Sequence, residues 1–249
     1  MRKIIIVFKR DFKELRQTSA FLVLGIVFSV MTITIAVIVS IVLNRQEWLG
    51  VEAARPMLVL IIGLIAYFLP LFILISFIWA FASLPIIKEK VNGNISSLLA
   101  TTLSPKEIWI GKSLAIFLPG LIMSMVSTLI VLITINLFTI APATGNFVLP
   151  APLMLTSLMI NPLLFLGLLL FIVLFSLANN PDIAFAPSFL VGFGLMIGIP
   201  LGVALGAIDL ASWSFSLWYL AGTVVIWAVV CCLSRLLTKE NIVLSSKGD

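Results

Sequence analysis

Long runs of apolar residues, separated by short clusters of charge, set the pattern of this chain. Six runs, at about 20–43, 57–87, 108–139, 158–178, 183–207 and 213–237, meet or approach the roughly 20 apolar residues that a helix needs to cross a hydrocarbon core. Each run is continuously apolar and shows no alternation of polar and apolar positions. That pattern predicts spanning helices and argues against a closed barrel of short two-faced strands. The second run, Met57–Ile87, carries no charge. At about 1.5 Å per residue it would extend about 45 Å, more than the roughly 30 Å of hydrocarbon, so it is expected to tilt or project from the membrane. Pro70 and Pro85 are its expected kink points.

Residues 1–19 have a different period. Ile4, Ile5, Phe8, Phe12 and Leu15 recur at helical spacing, with Lys9, Arg10, Lys13 and Arg16 between them. This predicts a basic amphipathic helix lying on the membrane surface, although a frayed, positively charged topology signal would have the same composition. The fifth run holds Gly194, Gly198, Gly202 and Gly206, one every four residues. A helix would align them on one face, open to close approach by another helix.

Charge sets the expected orientation. Lys and Arg gather at the N-terminus, between the second and third runs (Lys88, Lys90, Lys106, Lys112) and after the sixth (Arg235, Lys239, Lys247). Six spans put all three clusters on one side and leave Arg45 and Arg55 opposite. The positive-inside bias therefore predicts that both termini and the 88–112 segment are cytoplasmic. The outer loops, 44–56, 140–157 and 208–212, would be short. Residues 238–249 would form a cytoplasmic tail. The N-terminal run lacks a small-residue cleavage site and is followed by further spans, so no removable signal peptide is expected.

Composition agrees with these spans. The chain has 249 residues, 62% of them hydrophobic and 10% charged, with a mean hydropathy of +1.27. A soluble domain of this size would need far more charge for its surface. There is no histidine, and the two cysteines, Cys231 and Cys232, are adjacent in an apolar run. A metal site has almost no ligands to draw on, and the cysteines read as small packing residues. The net charge of +5 lies beside the spans, where it faces lipid headgroups, so nucleic acid is not implied.

The segment between the second and third runs has structure of its own. Asn92-Gly93-Asn94 breaks the helix. Ile95, Leu98, Leu99, Thr102 and Leu103 then share one face of a two-turn amphipathic helix, too short to be stable alone. Ser104-Pro105-Lys106-Glu107 is a capping box with proline at the first helical position, and it restarts the chain as the third span. A short apolar face at the inner rim is something a soluble partner could grip, but an ordinary connecting loop with a buried turn would leave the same signature.

The run from Glu89 through Leu98-Leu99-Ala100-Thr101 and Leu103-Ser104-Pro105 to Ile108 and Gly111-Lys112 resembles the cytoplasmic signature of the ABC-2 type permease family, the membrane subunits of type V ATP-binding-cassette transporters. Lys9-Arg10-Asp11-Phe12-Lys13 is similar to the basic helix that precedes the first span in that family. The resemblance covers the whole chain. It implies an all-α, polytopic permease of six spans with no catalytic residue of its own, pairing with a second copy or a related permease. It further implies that 88–104 is a coupling element, with Glu89, Gly93, Ile95, Leu98, Leu99, Leu103 and Pro105 contacting an ATPase subunit that binds ATP and magnesium. Export is the implied direction, and the chain has no feature for receiving a binding protein.

The energy source can be argued without the resemblance. Ion-coupled transport normally needs ionisable groups inside the membrane. No charge lies between Lys112 and Asp182, and Asp182 and Asp209 fall at expected span ends. Asn136 and Asn161 read first as interhelical hydrogen-bond formers. Gly111-Lys112-Ser113 looks like the end of a phosphate-binding loop, but Lys106 stands where the required glycine would be. Active transport by this chain would therefore need an external motor. A passive channel, or a membrane assembly protein without ATP coupling, is the alternative, and an intramembrane enzyme would need catalytic groups that the spans lack.

Overall fold

The computed structural model describes residues 2–82, 103–178 and 189–238. Among them the regular structure is helical, with no strand. α1 (Arg2–Gln17) leads through Thr18 into α2 (Ser19–Asn44). Thr18 Oγ1 accepts a hydrogen bond from the Phe21 amide at 3.3 Å and donates to the Leu15 carbonyl at 2.7 Å, so one hydroxyl both closes α1 and caps α2. Two short 3-10 turns connect to α3 (Arg55–Phe81), which contains Pro70. α4 (Pro105–Thr144) and α5 (Ala151–Leu177) follow, and then α6 (Phe189–Ala204) and α7 (Trp213–Leu233).

α2, α3, α4, α5 and α7 are each long and apolar enough to cross a membrane, whereas α6 is shorter. Any part of the expected fifth span before Phe189 lies outside the described residues, as does Pro85. α4 is the hub of the bundle, packing against α1, α2, α3 and α5, while α7 leans on α5. In their most apolar stretches α2 and α7 each bury only 22%, against 67% for α5, so α5 is the enclosed helix and α2 and α7 form the outer wall. Leu22, Ile26, Val30 and Ile33 on α2, with Leu217, Trp218 and Val225 on α7, point away from the bundle. An outward surface this apolar is at rest only in lipid or against another apolar chain.

Two boundaries differ from the sequence expectation. The outer loop expected at 140–157 shrinks to Gly145–Pro150, because α4 continues to Thr144 and α5 starts at Ala151. Each helix passes through one wide turn of i→i+5 bonding, at Asn136–Ile140 and Thr156–Ile160. These turns carry Asn136, Thr156 and Ser157, whose side chains find hydrogen-bond partners, and Thr139, whose buried hydroxyl has none among the described residues. Asn136 Oδ1 accepts from the Val148 amide at 2.8 Å and pins the hairpin back onto α4. Gly145, at φ 73, makes the left-handed turn that ends α4.

Candidate functional site

The expected coupling segment meets the bundle at the base of α4. Glu89, Gly93, Ile95, Leu98 and Leu99 lie outside the described residues. Leu103 is half-buried against the core, and Pro105 occupies the first turn of α4. The capping box is present in full. Ser104 Oγ accepts from the Glu107 amide at 3.3 Å, and Glu107 Oε2 accepts from the Ser104 amide at 2.8 Å. Trp109 Nε1 then donates to the Leu170 carbonyl at 2.8 Å, anchoring this end of α4 to α5.

α1 is seated on the same stretch of α4. The side chains that turn inward are Val7 and Leu15, both buried, with Ile4, Phe8 and Phe12 half-buried. Ile5, expected in the apolar stripe, is 50% exposed, and the stripe is rotated towards Val7 and Asp11. Lys9 and Lys13 are exposed and Arg10 is half-buried. The reason for the rotation is a close approach. A Cβ on Gly111 would lie 2.7 Å from the Val7 Cβ and 3.2 Å from the Ile4 carbonyl oxygen, so only glycine lets the two helices meet here. One turn along α1, Lys112 Nζ lies 3.1 Å from Asp11 Oδ2, with the two side chains only 6% and 12% exposed. Asp11 Oδ1 accepts from Arg10 Nε at 2.9 Å, so the carboxylate is held from both sides. In this weakly screened setting the pair acts as a specific latch between α1 and α4. Sequence reading treated Lys112 as a topology charge and missed the latch. Its signal was Asp11 standing at i+4 from Val7 and i−4 from Leu15, inside the apolar stripe.

A second polar cluster joins the middle of the bundle. Tyr219 Oη on α7 donates to Asn161 Oδ1 on α5 at 2.6 Å. Ser157 Oγ donates to the Ala66 carbonyl of α3 at 2.6 Å, and Thr156 Oγ1 donates to Ser216 Oγ at 2.9 Å. Asn161 is thus the interhelical hydrogen-bond former that was expected, whereas Asn136 bonds to the Leu132 carbonyl of its own helix and to the Val148 amide of the following loop. Asp209 is exposed in the α6–α7 loop, where its Oδ1 accepts from the Ala211 amide at 2.9 Å, while Asp182 lies outside the described residues. A cleft of about 700 Å³ between the start of α3 and the end of α6 is lined by Glu52, Arg55 and Asp209. The sequence reading did not foresee it, because its walls come from segments about 150 residues apart, at the far ends of loops of unknown path.

The glycine ladder is divided. Gly194 and Gly198 are exposed, with no atom within 4 Å of an added Cβ. Gly202 packs against Ile208 of its own following turn, and Gly206, at φ 71, lies beyond the helix and ends it. The expectation that all four share a face is corrected by a wide turn at Gly194–Gly198, which breaks the register, and by the stop at Ala204. The close approach of α6 to α3 is made by Gly192 instead, whose added Cβ would lie 3.2 Å from Ile75 and from Trp79. Trp79 also stacks on Phe189 at 4.6 Å. Cys231 and Cys232, expected to pack, are free and exposed, because the buried stripe of α7 runs through Ser216, Tyr219, Thr223 and Val230 and leaves them outside it.

Fold and surface together define the class: an all-helical, polytopic membrane protein with an amphipathic helix latched to the base of its third span. Comparison with known protein families, with curated proteins and with solved structures returns no match.

Proposed function

We propose that this chain is the permease subunit of an ATP-binding-cassette transporter working as an exporter, with ATP and magnesium bound by a separate ATPase subunit. The observation that carries the reading is the latch at the base of α4. The capping box of Ser104 and Glu107 follows directly on the 88–103 segment. Within two turns α4 is fastened to α1 through Gly111 and the Lys112–Asp11 pair, and to α5 through Trp109. A push on residues 88–104 would therefore move α1, α4 and α5 as one piece, as a motor-driven permease requires and a passive pore does not. Lys106, Lys112 and the basic residues of α1 gather at one end of the bundle, while Arg45 and Arg55 lie at the other ends of α2 and α3. This distribution supports a cell-membrane protein with both termini cytoplasmic. The second half of the pathway would come from another copy or a related permease, since the apolar outer wall of α2 and α7 suits a membrane-embedded partner as well as lipid.

The test is reconstitution into vesicles with and without the ATPase subunit that co-purifies with it. ATP hydrolysis by the complex should be coupled to the permease, and L98D/L99D should uncouple it while leaving membrane insertion intact. Full coupling in that variant removes the role assigned to the segment. Uphill transport by this subunit without any nucleotidase overturns the whole reading.

A further inference from the structure

We infer that the groove between α1, α2 and α4 is a binding site for one anionic phospholipid, its headgroup on the basic edge of α1 and one acyl chain between α2 and α4. The groove encloses about 570 Å³, within the range of sites that hold a single small ligand. Phe8 and Phe12 of α1, stacked with centroids 5.7 Å apart, close its near end. From there it runs along α2 from Phe21 to Ile33 and along α4 from Leu118 to Ile130. Each stretch covers about 18 Å at about 1.5 Å per residue, close to one leaflet of a hydrocarbon core roughly 30 Å thick. Two of the polar side chains in the wall are satisfied by their own helix. Ser29 Oγ donates to its own Gly25 carbonyl at 2.8 Å, and Thr32 Oγ1 to the Phe28 carbonyl at 2.7 Å. What remains is an apolar, leaflet-deep slot.

Charge at the near end selects the headgroup. With about 100° between successive helical residues, Arg2, Lys9, Lys13 and Arg16 lie on the flank of α1 next to Phe12. Of the two carboxylates, Asp11 lies in the inward stripe and Glu14 just beyond it, where Arg10 is within 4.0 Å of Glu14 and bonded to Asp11. All four flank cations are exposed, and none is paired with a carboxylate among the described residues. A helix with all its acid on one side and unpaired base on the other, beside a slot of acyl-chain depth, matches an anionic phospholipid of the leaflet on which α1 lies. The site is independent of ATP coupling and stands or falls without it.

The test uses the full chain purified in a mild detergent and titrated with phosphatidylglycerol or phosphatidylcholine, with one-to-one complexes counted by native mass spectrometry. Phosphatidylglycerol should bind at least fivefold more tightly, about the worth of one basic residue near an anionic headgroup, and K9Q/K13Q/R16Q should lose most of that preference. Ser29→Trp, which fills the slot far from α1, should cut the binding of both lipids tenfold or more while helix content stays unchanged. Equal affinity for the two lipids overturns the proposal, as does unchanged preference in the triple variant. Phosphatidylglycerol binding that survives Ser29→Trp would place the lipid on the helix surface and overturn the slot. A change of oligomeric state in Ser29→Trp without loss of lipid would assign the groove to a second copy of the chain and overturn it equally.

Discussion

Asp11 sits where an apolar stripe would otherwise run unbroken, and its partner is a lysine about a hundred positions away. Removing Lys112 leaves Asp11 only Arg10, and removing Asp11 takes away the carboxylate that Lys112 faces, at a cost of up to about 3–5 kcal/mol. Asp11→Ala and Lys112→Ala should therefore each lower the thermal midpoint of the detergent-purified protein sharply. The double change D11L/K112M, which replaces charge by apolar volume, should recover much of the loss. Equal losses in single and double variants would mean that the latch is not the source of stability. Gly111 makes the matching steric case. Gly111→Ala forces a methyl into a space 2.7 Å from the Val7 Cβ and should cost about 1–3 kcal/mol. Val7→Ala in the same chain should relieve part of it. A double-mutant cycle with no coupling would show that α1 is seated elsewhere.

Among the elements, α6 is where helix and tertiary structure part company. Its glycines looked like one ladder because a regular helix was assumed; one wide turn and one early stop undo the alignment. Gly206→Ala should cost about 1–2 kcal/mol, because only glycine takes φ 71 without strain, and Gly206→Asn should cost less. Gly194→Ala and Gly198→Ala meet open space and should be neutral to stabilising by up to about 1 kcal/mol. Thermal unfolding of the purified chain checks both statements. A marked loss at Gly194 or Gly198 would mean that another chain covers this face in the assembled protein.

For the whole molecule, the arrangement to test is the orientation of the bundle. Cys231 and Cys232 are the only cysteines, so C231S/C232S is a clean background for single cysteines at Lys3 and Glu47. A membrane-impermeant maleimide applied to intact cells should label the cysteine at 47 and spare the one at 3 until the cells are opened. The reverse pattern would invert the proposed topology and, with it, the side on which an ATPase could dock. The α1 latch and the capping box share the end of the bundle marked by position 3, so this single measurement bears on the proposed coupling site as a whole.

Sequence alone determined the membrane class, the helical character of every described span, the capping box at Ser104 and the amphipathic nature of α1. All of these follow from local rules: a hydrocarbon solvent demands internally bonded backbone, and caps and stripes are read over one or two turns. Tertiary structure alone decided which face of α1 turns inward, which glycines carry close approach, and that Lys112 is a buried partner rather than a solvated anchor. Those outcomes depend on which helices become neighbours and at what rotation. Neighbour choice is set by contacts between positions such as Val7 and Gly111, or Gly192 and Trp79, whose separation along the chain hides them from any periodic pattern.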